Sequence, residues 1–273
     1  MAPRFSIPLT GCALAATLAA GARKTVVAQQ GGTVEGHVKL TGTPPPNALI
    51  KMSADPNCMQ IDAGKRVVQE TVLKAADGGL VNVFVNVEGS FSQSPPPSTS
   101  VVIDQRACTY HPRVQGARVG QTLEVKNSDQ TLHNIHGMTT KNNAFNTGQP
   151  LAGMVFKVQL KSEEVMLWVK CDVHSWMTGY IGVVTHPYYA VSDGTGAFKI
   201  AGVPAGKRTV RVWHEQYGPL TQTVEVKPGA ATTVDFTYTG NEKYSPSSAT
   251  AFPVQEIVVP AGAIAVQLVP ATQ

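Results

Sequence analysis

Alternation of apolar and polar residues dominates the middle of the chain. Met154, Phe156, Val158 and Leu160 share one parity and Val155, Lys157 and Gln159 the other, which is the period-2 signature of a half-buried strand. Val165, Leu167, Val169 and Cys171 repeat it, so Cys171 is expected on the core side of its strand. Residues 179–184 predict a further strand, and 120–127 a turn and strand that end at the polar cluster Asn127 to Gln130. His133 then starts a loop at a sheet end.

Downstream, turn clusters at Ser192 to Gly196 and at Gly202 to Gly206 flank a strand, and further strands are predicted over 208–214, 220–226 and 232–238. With 25 Gly and 19 Pro among 273 residues and only 15% charged residues, composition favours short strands and turns. The fold class is all-β, and the length allows about two domains of ~150 residues.

The first 28 residues read as a leader and not as fold. Arg4 precedes a largely apolar, small-residue run from Ile7 to Ala20, and cleavage is expected after Ala22 or Ala28. Leu9-Thr10-Gly11-Cys12 also matches a lipoprotein box, but the apolar run before it is short for an acylated Cys12. A retained membrane span, which needs about 20 apolar residues, is disfavoured. The mature protein is therefore expected to be periplasmic or otherwise exported. Removing 1–28 takes away Arg4, Arg23 and Lys24 and no acid, so the formal charge of +4 falls to +1. A clustered Lys/Arg face of the kind that binds nucleic acid is missing from the remainder.

Of four cysteines, Cys12 lies in the leader and Cys171 in a ligand-like motif. Cys58 and Cys108 are left as an even pair, expected to form a disulfide in an oxidising compartment, against the alternative of two buried thiols.

The candidate chemistry lies in Cys171-Asp172-Val173-His174-Ser175-Trp176-Met177, with Leu132-His133-Asn134 upstream. A thiolate, two imidazoles and a thioether are the donors that suit a blue-copper centre. Cys171, His174 and Met177 fall at three-residue intervals, so one loop can wrap them round an ion. The fourth donor must come from elsewhere.

Taken together, the Gly-initiated strand, Asn127-Ser128-Asp129, Leu132-His133-Asn134, Cys-x2-His-x2-Met and the β-branched strand after it resemble the cupredoxins, specifically the amicyanin and plastocyanin group, over about residues 97–187. That resemblance implies a Greek-key β-sandwich holding one copper per chain, with His133, Cys171 and His174 equatorial and Met177 axial. It favours His133 over His136, which reads as a strand residue, and gives Asn134 the role of bracing the Cys171 loop. It further implies that the His174 edge reaches the surface as an electron port for redox partner proteins. Trp176 either joins that docking surface or covers the metal. His37, His111, His186 and His214 read as surface or satisfied histidines.

The second half resembles carboxypeptidase regulatory-like modules, small transthyretin-like β-sandwiches. Their first strand is absent just before Ser192, and Gly32 to Val38 fits it, with Leu80 to Val87 as the strand after it. The expected organisation is a discontinuous module, 31–90 with 188–240, into which a cupredoxin domain, 91–187, is inserted. Two consecutive domains with an extended N-terminal arm are the alternative. Residues 241–273 read as an extended tail with one strand over Val254 to Val259.

The function expected is one-electron carriage, the alternative a non-redox copper carrier or a cell-envelope binding module. An enzyme is disfavoured. Multicopper oxidases need His-x-His clusters, whereas His133 and His136 are spaced His-x2-His, and neither a Ser/His/Asp triad nor a carboxylate pair announces hydrolysis.

Overall fold

The computed structural model describes residues 1, 30–52, 55–61, 63, 67–92, 94–242 and 244. The leader expected over 1–28 and the strand expected over 254–259 lie outside them. Seventeen strands and one short helix are described: β1 (Gly32–Leu40), α1 (Pro56–Ile61), β2 (Phe84–Glu88), β3 (Val101–Arg106), β4 (Thr109–His111), β5 (Val114–Arg118), β6 (Thr122–Asn127), β7 (His133–Met138), β8 (Phe145–Gln149), β9 (Val155–Gln159), β10 (Glu164–Lys170), β11 (Thr178–Val184), β12 (Tyr189–Val191), β13 (Ala197–Val203), β14 (Gly206–His214), β15 (Gly218–Val226), β16 (Ala231–Thr233) and β17 (Phe236–Tyr238). Among the described residues the protein is all-β apart from α1.

The strands form four sheets. Two are built from both ends of the chain. In one, β1 pairs antiparallel with β13 and parallel with β16 and β17. In the other, β2 lies between β12 and β14, with β15 beyond. Their facing sides share one core, in which Val34, Val38, Phe198 and Phe236 of the first meet Val85, Val87, Val210 and Val212 of the second.

The remaining sheets, β5-β11-β10-β7-β8 and β4-β3-β6-β9, come from the middle of the chain. Alternation puts Leu123 and Val125 of β6 against Ile135, Leu167, Val169 and Ile181 of the facing sheet. Cys171 and Met177 close the end of this core, Cys171 on the side that the parity of β10 required. The parity fails at one place. Register shifts between Glu164 and Leu167, so Val165 leaves the core side and packs with Met166 and Trp168 on the outer face.

That outer face meets the β2 sheet. Gly182 and Gly116 leave room for aromatic rings, since a Cβ on Gly182 would lie 2.2 Å from Phe84 Cζ and one on Gly116 2.2 Å from Tyr189 Cε2. Phe84, Val114, Tyr180, Val184 and Trp213 fill the space between. Arg113, beside β5, donates to both oxygens of Glu215 after β14, at 2.5 and 2.7 Å.

Between β1 and β2 the chain makes an excursion the alternation does not show. Ile50 N donates to Val67 O at 2.9 Å and Gln69 N to Ala48 O at 2.8 Å, pinching off a hairpin-like arm that carries α1. Its Ile50, Met52 and Cys58 pack on Cys108 and Trp176. The strand expected from Leu80 begins only at Phe84, because Leu80 is held instead by an isolated bridge to Lys74.

Candidate metal centre

The end of the central core brings His133, Cys171 and His174 together, with ligand atoms all within 4.8 Å of one another. His133 is the first residue of β7, not the start of a loop as the polar cluster before it suggested. Strand pairing with Gln149 fixes it there. Cys171 follows β10 directly, and its Sγ accepts from His174 N at 3.3 Å, so the loop curls back over the sulfur. Cys171 N donates to Met177 O at 3.1 Å and Met177 N to His174 O at 2.9 Å, which closes that loop and buries Met177 beside Cys171.

The two imidazoles are oriented by their far nitrogens. His133 Nε2 meets Asp129 Oδ2 at 2.8 Å and His174 Nε2 meets Asp55 Oδ2 at 2.8 Å. A carboxylate at Nε2 holds the proton there and leaves Nδ1 with its lone pair. The two Nδ1 atoms face each other at 3.1 Å, and Cys171 Sγ is 3.9 Å from that of His174. Two imidazole nitrogens and a thiol whose atoms lie within 4.8 Å of one another are a donor set that fits a soft metal ion. Burial works against protonation of both rings, but Asp129 with Cys171 for His133, and Cys171 with Asp55 for His174, pull their pKa values up. Burial pushes the Cys171 thiol up, yet the neighbouring His133 and His174 rings and the backbone of His174 and Asn134 outweigh it and bring the pKa down to about 6. A thiolate is thereby available near neutral pH.

Asn134 accepts from Asp172 N at 2.7 Å through its Oδ1, and Tyr110 donates to its backbone oxygen, so it ties β7 to the Cys171 loop. His136 faces outward to Asp172 at 2.9 Å, away from the cluster.

Two residues the sequence did not single out complete the shell. Asp129 belongs to the polar cluster before His133, and the signal for it was a carboxylate four residues ahead of a candidate ligand. Its Oδ1 and Oδ2 also accept from Ala107 N and Cys108 N at 2.9 and 2.8 Å. Asp55 comes from the β1–β2 arm, where its Oδ1 caps α1 by accepting from Asn57 N and Cys58 N at 2.7 and 3.2 Å. Cys58 and Cys108 form the expected disulfide, S–S 2.06 Å, joining that arm to the β3–β4 turn.

The arm overturns the expectation of an open His174 edge. His174 is only 2% exposed, covered by Asp55 and by Cys58 Sγ at 3.5 Å. Trp176 is half-buried, its ring 5.0 Å from that of His174 and its Nε1 donating to Cys108 O at 2.8 Å. It covers the cluster. The bland reading of His214 also needs amending, since its Nε2 is buried with no hydrogen-bond partner among the described residues.

The family model for the carboxypeptidase regulatory-like domain matches residues 181–239, beginning within β11. No curated protein matches the chain. Among solved structures, the chain is similar to a purple cupredoxin from Nitrosopumilus maritimus at 25% identity, over 31% of this chain and 99% of that one, with a TM-score of 0.27. It is similar to an amicyanin variant in its Cu(I) state at 17% identity, over 36% and 97% of the two chains, with a TM-score of 0.28. A copper-containing nitrite reductase from Thermus scotoductus SA-01 matches at 19% identity with a TM-score of 0.30, over 36% of this chain and 25% of that one, so the chain spans a quarter of its length. Among the described residues no helix is long and apolar enough to cross a membrane.

Proposed function

We propose that the protein is an exported mononuclear type 1 copper protein that carries single electrons between partner proteins. Copper would be held by His133, Cys171, His174 and Met177, one ion per chain. The observation that carries this reading is the convergence of two Nδ1 atoms, 3.1 Å apart, beside a buried thiol of lowered pKa. Bound there, copper would supply reversible one-electron exchange. The chain's own part is to hold the donors still: Asp129 and Asp55 fix the rings, Asn134 fixes the Cys171 loop, and Trp176 with the β1–β2 arm excludes water.

Export fits the Cys58–Cys108 disulfide, since such bonds persist in oxidising compartments. We read residues 31–90 and 188–240 as one discontinuous module with 91–187 inserted, supported by the pairing of β1 with β13, β16 and β17 and of β2 with β12 and β14.

A second reading, a copper carrier without redox traffic, is favoured by the cover over His174, because a buried ligand edge suits retention of the ion. Copper loading with metal analysis and a visible spectrum tests the site: one copper per chain and an intense thiolate-to-copper band are expected, and a colourless product or an unchanged band in Cys171→Ser would sink it. Reversible voltammetry and rapid electron self-exchange distinguish carriage of electrons from carriage of the ion.

A further inference from the structure

Two sulfurs outside this ligand set press against its histidines from behind. Cys58 Sγ groups with Asp55 and His174, and Cys108 Sγ with Asp129 and His133, the ligand atoms of each group lying within 4.8 Å of one another. The disulfide joins the two groups. Each imidazole is thus two-sided, Nδ1 toward Cys171 and Nε2 toward a carboxylate and a sulfur of the pair. Both carboxylates are engaged by ring nitrogens at 2.8 Å, so the donors that reduction would release are two buried thiols.

Contacts other than the S–S bond also hold the two cysteines in place. Ala107 and Cys108 sit in the left-handed region, φ 51° at each, a conformation that non-glycine residues keep only when their surroundings impose it. Asp129 imposes it through both backbone N–H groups and Trp176 through the Cys108 carbonyl. On the other arm, Asp55 holds Cys58 through its backbone N–H.

We propose that in the dithiol state Cys58 and Cys108 are a second copper site, taking one Cu(I) between their sulfurs behind His133 and His174. Paired thiolates without a free hard donor select a soft monovalent ion. A thiol-class reductant delivers two electrons and two protons to the S–S bond and becomes a disulfide itself. Cu(I) then displaces the two thiol protons as two Cu–S bonds form, with its oxidation state unchanged. A protein disulfide that takes two electrons back re-forms the S–S bond and expels the ion, so the redox state of the pair sets whether the chain carries one copper or two. The inference extends the copper reading but uses none of its thiolate, Cys171.

The test compares oxidised chain with chain reduced by a phosphine in denaturant, both refolded anaerobically with Cu(I) under a competing chelator. Two coppers per reduced chain and one per oxidised chain are expected, and iodoacetamide should leave Cys58 and Cys108 unmodified in the loaded reduced protein. Cys171→Ser should bind one when reduced and none when oxidised. A Cys58→Ser/Cys108→Ser chain should bind one in either condition, and should it not fold, alkylation of the wild type carries the test. One copper in both wild-type states, or alkylation of the pair at its metal-free rate, overturns the second site and leaves the first. No copper in oxidised wild type with one in reduced does the reverse.

Discussion

His133 and His174 each spend one nitrogen on a carboxylate and one on the cluster they share, and the pH behaviour of the site follows from that division. Copper must displace the proton of a thiol whose pKa is about 6. Below pH 6, copper affinity should fall by about tenfold per pH unit for each proton displaced, measurable by chelator competition from pH 7 to 4. Two other histidines act on stability. Burial, then Arg118, lowers His186 to about 4, and burial, then Arg113, lowers His214 to about 3. Both are neutral in the folded chain over a range where the unfolded chain binds protons, so their contribution is whole above about pH 6.5 and is lost as pH falls toward those values. Between pH 7 and 5 each should cost about 2 kcal/mol. Urea unfolding at the two pH values checks this, the loss shrinking by about that amount in His214→Phe. The upward shifts of His133 and His174 act with the opposite sign, so the variant difference is the informative quantity.

At the scale of elements, the turn between β3 and β4 places alanine and cysteine where a two-residue hairpin ordinarily places Asn-Gly. Ala107→Gly should raise stability by about 0.5–1 kcal/mol, the relief of the left-handed strain being partly offset by a looser unfolded chain. Gly182→Ala should cost about 1–3 kcal/mol by pushing Phe84 out of place, and Phe84→Leu in the same chain should recover part of it, a coupling that denaturant melts of the four combinations measure. These same elements mark what was legible in the sequence. Alternation revealed β9 and β10, turn signals beside apolar runs revealed β6, β11 and β13 to β15 with shifts of a few residues, and the ligand motif revealed itself because three of its donors are local. The arm over 48–69 has no period, and Asp55 reaches His174 across a separation of 119 residues, so no local pattern announced the cover. The one available clue was the Cys58–Cys108 pair. It implied that residues near 58 lie beside the turn at 108, and Asp129 tethers that turn to His133.

For the molecule as a whole, Arg113 and Glu215 lock the two pairs of sheets together. Arg113 donates to both oxygens of a glutamate whose pKa burial raises, against the pull of the arginine. Arg113→Met should cost about 3–5 kcal/mol at neutral pH, since it strands a buried carboxylate, and Glu215→Gln in the same chain should recover part of the loss in thermal melts. Finally, β1 finds its last partner far along the chain: His37 N bonds to Asp235, 198 residues later. At a synthesis rate of about 5–20 residues per second, β1 waits about 10–40 s, its edges open, while everything between is made. The two central sheets have all their strands well before that, so they can assemble first and hold the ends of the chain close. Synthesis order thus lets the middle of this chain settle before its flanks, and the first of the described strands is among the last to have all its partners.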